Sequence, residues 1–522
     1  MRTSTGGPEH DAGTPFTHII DAFFATARRY ADGTAVIDNG RPTTYRELAD
    51  MVSLVAHRVQ ELPSDPELPV GLYECFSTAS IAAALGIMAA GRYYCPIDPA
   101  MVGERLSAFV DGAGFAEVLV VTAHEAPLPE PVHRVRLDLS SVPSHEPPEV
   151  PHSPDRTAYL LFTSGSTGTP KGALLTHRVL AVTVPALTEL YDIGPADRVL
   201  HFTPLFWDTS LEELLPTLSQ GGCVVMDAAA DIDLHGIVTD YGITTLNLPT
   251  AFWNEFVVYL LEEDTALPPC LRTVVIGGEP VRADMLERWR RLDGADRIRL
   301  LNTYGATETG MVTHAIDLRD LLALPEPAGH VPIGHPLPHV DARILDERGE
   351  PVTAAGVEGE LLVGGDGIAL RYHRQPEMTA ERFTDLDLGA GPTRYFRTRD
   401  MVRADASGAL EFVGRKDHVV KIRGVRLDLG EVEFWIGRHP GVRAVLVVDR
   451  PKGRHNALAA YVLPGPGADT AALPTGIRAY LRANVPPYLV PSTITVVPEF
   501  VYTRSRKIDR EATRSRYENE AP

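Results

Sequence analysis

The chain has 522 residues, enough to bury a large core and to form more than one domain. Hydrophobic residues make up 44% of it and its mean hydropathy is −0.06, as in an ordinary globular protein. A formal charge of −20 argues against nucleic-acid binding, because a phosphate backbone would be repelled.

The stretch Met1 to Thr14 is polar and lacks the apolar centre of a signal peptide, and no apolar run reaches bilayer length, so a cytoplasmic protein is expected. Thr78 to Ala90 reads as a helix and Val118-Leu119-Val120-Val121 as a buried strand. The proline-rich segment Pro127 to Pro154 is expected to be a surface connection between subdomains. Tyr159 to Phe162 is a second apolar strand, and it runs into Thr163-Ser164-Gly165-Ser166-Thr167-Gly168-Thr169-Pro170-Lys171-Gly172. Glycines let this backbone turn close to an anion. Free N–H groups and the hydroxyls of Thr163, Ser164, Ser166 and Thr167 can donate to phosphate oxygens, and Lys171 adds positive charge. A flexible linker has similar composition, but a strand feeding the loop and the Pro-Lys-Gly ending favour phosphate binding. It is not a Walker loop, since Pro170 stands where that motif needs glycine and Gly172 follows the lysine.

Further along, Ser210-Leu211-Glu212-Glu213 fits a capping box, with Ser210 as helix cap and Glu213 reaching back to its N–H. Cys223 to Met226 and Thr273 to Ile276 read as strands, and Ala283 to Leu292 as a helix. Alternation of this kind predicts an α/β protein with mixed, mostly parallel sheets. Asp400 to Asp417 reads as a short hairpin and a linker. Arg443 to Val448, Ala457 to Leu463 and a helix around Gly476 to Asn484 then give a small α+β pattern. Cys75, Cys95, Cys223 and Cys270 are scattered without metal-ligand spacing, so they are expected to be reduced and structural.

The phosphate loop resembles that of the superfamily of acyl- and aryl-CoA synthetases, peptide-synthetase adenylation domains and firefly-type luciferases. Other motifs of the superfamily follow in order. They include Thr44 to Leu48, Ala90 to Asp98, Asn302 to Glu308, Gly359-Glu360-Leu361, Tyr395 to Asp400 and Gly414-Arg415-Lys416-Asp417. Arg423-Gly424-Val425-Arg426 and Lys507-Ile508-Asp509-Arg510 close the series. The resemblance implies a large N-terminal region over residues 1–416 and a small mobile domain over 417–522, hinged at Asp417.

It also implies roles. Lys507 would be the catalytic cation that stabilises charge developing at the α-phosphorus of ATP. Thr163, Ser164, Gly165, Ser166, Thr167, Gly168 and Lys171 would hold the phosphates, and Glu308 would ligate magnesium. Tyr304 would face adenine, Thr307 the α-phosphate, and Asp400 with Arg415 the ribose. The superfamily usually has glycine before that aspartate, where this chain has Arg399, and glycine before the final lysine, where it has Arg506. Lys421 and Gly424 would serve the thiol-transfer step. Asp208 matches the aspartate that pairs with the substrate ammonium in amino-acid-activating members, and a buried carboxylate calls for such a cation. Thr209, Glu212, Val275, Gly277, Thr303, Met311 and Val312 would line the side-chain pocket. Glu212 points either to a basic side chain or to a hydrogen bond inside the protein that merely shapes the pocket.

The resemblance is nearest to free-standing amino-acid adenylation enzymes. These use ATP and magnesium to make an aminoacyl-adenylate, then load the phosphopantetheine thiol of a carrier protein in nonribosomal peptide or related biosynthesis. No Gly-Gly-x-Ser carrier motif follows Arg510, so the carrier is expected to act in trans. An α-amino acid is expected and a β-amino acid stays open. The alternatives are an acyl-CoA synthetase using free coenzyme A, and a non-catalytic nucleotide sensor. Neither nucleic acid nor a membrane is expected as a partner.

Overall fold

A computed structural model describes residues 17–73, 76–121, 127–149, 153–163, 170–322, 331–388, 391–416, 419–422, 425–452, 455–501 and 510–518. Two large sheets dominate. A nine-stranded sheet is parallel through its centre, where Arg198–Leu200, Cys223–Met226, Thr245–Pro249, Thr273–Gly277 and Arg299–Ala306 lie side by side. It turns antiparallel at both margins. A seven-stranded sheet joins Val70–Tyr73, Tyr94–Ile97, Glu117–Val120, His133–Arg136 and Thr157–Thr163 in parallel, with Lys171–Thr176 antiparallel to the last.

Between the sheets lie the helices Ile19–Arg29, Tyr45–Gln60, Thr78–Ala89, His177–Tyr191 and Thr209–Gln220. Their apolar residues share one core with both sheets, including Val36 and Val224 from one and Leu72 and Tyr94 from the other. The outer face of the nine-stranded sheet is covered by Leu234–Tyr241, Thr250–Glu262 and Ala283–Arg290, around Trp253 and Trp289. Gly103–Ala113 covers the outer face of the seven-stranded sheet around Phe109 and Phe115. The expected mixed, mostly parallel α/β architecture is thus present as five layers. The segment read as a plain connection contributes an edge strand, His133–Arg136.

A five-stranded sheet follows, and then a small C-terminal unit with a two-stranded and a three-stranded sheet. That unit has its own core, where Val432, Trp435 and Ile436 of helix Leu429–Gly437 pack on Val447, Ala460 and Ile477. Asp417 lies outside the described residues. No helix among those residues is long and apolar enough to cross a membrane.

Local chemistry sets these elements. The Thr44 hydroxyl accepts from the Glu47 N–H while Glu47 accepts from the Thr44 N–H, a capping box that starts the helix Tyr45–Gln60. That helix meets Thr78–Ala89 at Gly86, where a Cβ would lie 2.5 Å from Cβ of Val55 and 2.9 Å from the Val52 carbonyl oxygen. Gly86→Ala should therefore overpack the inter-sheet layer and cost about 1–3 kcal/mol. Denaturant unfolding checks this, and a midpoint unchanged from wild type would show that the helices part freely.

Candidate functional site

The carboxyl ends of the parallel strands in both sheets open onto one cleft, the usual location for a ligand in an open α/β sheet. Pro96 and Asp98 reach it from one sheet together with Leu161, Phe162 and Thr163. Asn247, Leu248, Pro249, Gly277, Gly278 and Thr303 reach it from the other. The start of the helix Thr209–Gln220 forms a further wall through Asp208, Thr209 and Glu212. Val425, Leu427, Glu431 and Tyr488 of the small C-terminal unit close the cleft opposite.

The helix does not begin as the sequence pattern suggested. Asp208 is its N-cap, and Oδ1 accepts from the Thr209 N–H at 3.0 Å. The Ser210 hydroxyl instead donates to the Trp207 carbonyl at 2.6 Å. Glu213 turns away from Ser210 and accepts from His201 Nδ1 (2.7 Å), the Phe202 and Thr203 N–H groups (3.0 and 3.3 Å) and the Thr203 hydroxyl (3.1 Å). The local capping signal loses to these longer-range donors, because a carboxylate this deeply buried needs several of them. Asp208 therefore acts as cap and cleft wall together.

Glu212 lies on the same helix face as Asp208, four residues on. It is 8% exposed. Its Oε2 accepts from the Tyr191 hydroxyl at 2.8 Å and from Asn247 Nδ2 at 3.0 Å. Burial first, and the nearby Asp208 carboxylate second, push the Glu212 carboxyl up to about 8.

Thr209, Gly277, Thr303, Met311 and Val312 line the cleft. A Cβ on Gly277 would meet the Thr303 hydroxyl at 2.7 Å and the Thr303 carbonyl at 2.9 Å, so the bare backbone there is required. Met311 sits at φ +80, in the left-handed region, where the strand pairing of Gly305 and Val312 is bulged. Val275 departs from expectation. It is fully buried in the inter-sheet core and does not contribute to the cleft wall. Its register partner Asn247 does, and the bonds from that side chain go to Glu212.

Of the expected nucleotide residues, Thr163 and Thr307 line the cleft, whereas Tyr304, Asp400 and Arg415 form a cluster outside its lining. Thr163 lies on the cleft wall, and the Thr163 hydroxyl donates to the Lys171 carbonyl at 3.4 Å. Thr163 and Lys171 pair across antiparallel strands. Ser164, Gly165, Ser166, Thr167 and Gly168 lie outside the described residues, as do Gly424 and Lys507. Thr307 faces the cleft. The Tyr304 hydroxyl donates to one oxygen of Asp400 and Arg415 to the other, with Arg415 also donating to the Thr398 carbonyl at 3.2 Å. Asp400 and Arg415 are register partners on adjacent strands. Arg399, in the place where the superfamily has glycine, adopts φ +65 and is tied to Glu381 at 2.7 Å. Lys421 belongs to the strand Val419–Ile422.

Glu308 is fully buried on a short 3-10 turn, and its Oε1 accepts from the Tyr372 hydroxyl at 2.7 Å. In this arrangement it is not among the residues that line the cleft. No cluster of three or more His, Cys, Asp or Glu suited to a metal occurs among the described residues.

Sequence reasoning missed the joint between the large region and the small unit. Arg105 of the helix Gly103–Ala113 donates to Glu431 at 3.0 Å, with the two side chains 9% and 1% exposed. Nothing local marks two residues 326 positions apart as partners. Asn247 was findable, as a lone amide inside an apolar strand.

Comparison with known proteins agrees with this geometry. The AMP-binding enzyme family matches residues 23–373, and the AMP-binding enzyme C-terminal domain matches 431–507. Phosphinothricin tripeptide synthetase PhsC of Streptomyces viridochromogenes is 35% identical over 502 residues, covering 93% of this chain and 44% of that protein. A dimodular nonribosomal peptide synthase of Bacillus subtilis is 32% identical over 520 residues, covering 95% and 22% respectively. The chain thus spans less than half the length of these relatives. Among solved structures, holo-PA1221, an NRPS protein containing adenylation and PCP domains, aligns with a TM-score of 0.81 at 26% identity, over 96% of this chain and 84% of that one. NpsA-ThdA, an artificially fused adenylation-PCP di-domain from Klebsiella oxytoca, gives 0.80 at 25% identity, over 92% and 94%. With two family matches in order along one five-layer fold and one cleft, the chain belongs to the AMP-binding enzyme family and is an AMP-forming ligase.

Proposed function

We propose that the chain activates an amino acid with ATP as an aminoacyl-adenylate, releasing pyrophosphate, and passes the aminoacyl group to the phosphopantetheine thiol of a carrier protein. The carrying observation is the Asp208 carboxylate on the cleft wall. Asp208 stands at the position where amino-acid-activating members of the superfamily bind the substrate ammonium, and a carboxylate there suits such a cation. The similar adenylation-PCP proteins and peptide synthetases support an amino acid and a carrier.

In the adenylation step, a substrate carboxylate oxygen bonds to the α-phosphorus and pyrophosphate leaves. The work of the protein is to position both reactants and to stabilise negative charge. Thr163 and Thr307 present hydroxyls along the cleft, and the Tyr304–Asp400–Arg415 cluster is proposed to hold the nucleoside. Lys507 is the proposed cation at the developing charge. Magnesium is proposed to enter with the triphosphate. In the transfer step, a thiol sulfur bonds to the acyl carbon and AMP leaves. The small unit presents Val425, Leu427 and Tyr488 to the cleft in the observed arrangement, an apolar wall suited to a pantetheine arm. Asp417 is the proposed hinge between the two steps, and the carrier is proposed to act in trans. The amino group bound by Asp208 is proposed to be the α-amino group.

Asp208→Asn keeps an acceptor at the helix cap but removes the charge. Amino-acid-dependent ATP–pyrophosphate exchange should fall at least about 30-fold in kcat/KM, while unfolding stability stays within about 1 kcal/mol of wild type. Preserved exchange, or exchange driven by fatty or aryl acids, would favour a coenzyme A ligase instead. Lys507→Ala should slow adenylate formation by about 10²–10³-fold with ATP binding little altered, because the cation serves the transition state more than the ground state. Single-turnover adenylate formation beside ATP titration reads the two separately. A separately supplied holo-carrier protein should become aminoacylated, and loading that requires a covalently joined carrier would rule out the in-trans arrangement.

A further inference from the structure

Within the amino-acid pocket, the carboxylate of Glu212 is held in an unusual way. Both hydrogen bonds it receives, from Tyr191 and Asn247, fall on Oε2. Oε1 has no hydrogen-bond partner among the described residues, although a carboxylate oxygen can accept two. The side chain nonetheless lines the cleft while the residue is 8% exposed. Tyr191 is itself buried at the end of its helix and Asn247 sits in a central strand, so the two donors fix the carboxylate in place.

Asp208 lies one helical turn earlier, roughly 6 Å away along the axis. The surfaces around them are apolar or bare: Leu161, Met311, Val312 and Gly277. The cleft therefore offers one carboxylate at the more open start of the helix, a second deeper in, and an apolar wall beside them.

We propose that the amino acid activated here is a diamino acid, whose second ammonium ends a short aliphatic side chain and pairs with Oε1 of Glu212. The proposal deepens the amino-acid reading above and rests on it. An ammonium suits the site better than a guanidinium. Arginine pairs best by engaging both oxygens of a carboxylate, and Oε2 is already occupied, whereas an ammonium is a compact charge that needs one oxygen. Burial and Asp208 already raise the affinity of Glu212 for a proton, and a second ammonium would displace that proton.

The test is ATP–pyrophosphate exchange by the full chain with ornithine, lysine, 2,4-diaminobutyrate and their β-amino isomers, set against arginine, glutamine, leucine and alanine. A diamino acid should lead the panel by at least about 30-fold in kcat/KM, and Glu212→Gln should remove at least that factor. Because kcat/KM reports the free enzyme, it should rise for the diamino acid as pH passes upward through about 8, where Glu212 gives up its proton, and this limb should vanish in Glu212→Gln. The wild-type panel and pH profile stand even if the variant folds poorly. Preference for arginine or for a neutral amino acid, or an unchanged preference in Glu212→Gln, overturns the proposal while leaving amino-acid activation intact. Exchange with no amino acid at all overturns both.

Discussion

The cleft depends on one buried carboxylate that takes no part in its lining. Glu213 gathers donors from His201, Phe202 and Thr203, which follow the strand Arg198–Leu200, and so bolts the helix Thr209–Gln220 to the end of the nine-stranded sheet. Residues one turn apart share a helix face, whereas neighbours stand about 100° apart around the axis. Fixing Glu213 toward the sheet therefore fixes Asp208 and Glu212 toward the cleft. Pro216, inside the same helix, has no N–H to give the Glu212 carbonyl, which loosens the ladder just beyond this point. The rotation of the helix thus rests on side-chain bonds more than on its own backbone.

The two sheets contribute in different ways. The seven-stranded sheet brings Pro96, Leu161 and Thr163 to the cleft, and the nine-stranded sheet brings Asn247, Gly277 and Thr303. The helices between them share a single core, so a shift in one sheet is transmitted to the other through close-packed side chains. Left-handed backbone at Met311 and Arg399 occurs beside the pocket and beside Asp400, the places where local strain is held by surrounding structure.

Much of this could be read from the chain. Apolar runs such as Cys223–Met226 and Thr273–Gly277 are fully or largely buried strands, and the helix beginning at Thr78 follows its pattern to within a residue. Strand period and burial are local properties, and so they are legible. The start of the helix at Asp208 was not, because Ser210 and Glu213 match a local capping motif, yet the Ser210 hydroxyl donates to the Trp207 carbonyl and Glu213 is claimed by donors on the segment before the helix. Val275 failed for a related reason. It shares a sheet face with its register partner Asn247, which lines the cleft, but how far along a strand the cleft reaches is settled by the elements packed on that face. Glu308 belongs to a matching motif, yet its carboxylate is turned to Tyr372, 64 positions away.

The Arg105–Glu431 contact has a consequence for how the small unit is seated. Arg105 Nε and Nη1 and Glu431 Oε2 are buried without hydrogen-bond partners among the described residues, so the pair is incompletely solvated by protein. Dissolved ions weaken exposed charge pairs over about 8 Å at physiological strength, and they screen buried pairs much less. If the units part, water returns to both groups, and their hydration offsets much of the Coulomb attraction given up. A seating that covered one charge without the other would have no such compensation. The joint therefore behaves as an index mark: it selects an angle of docking, responds little to salt, and adds little to the energy of staying docked.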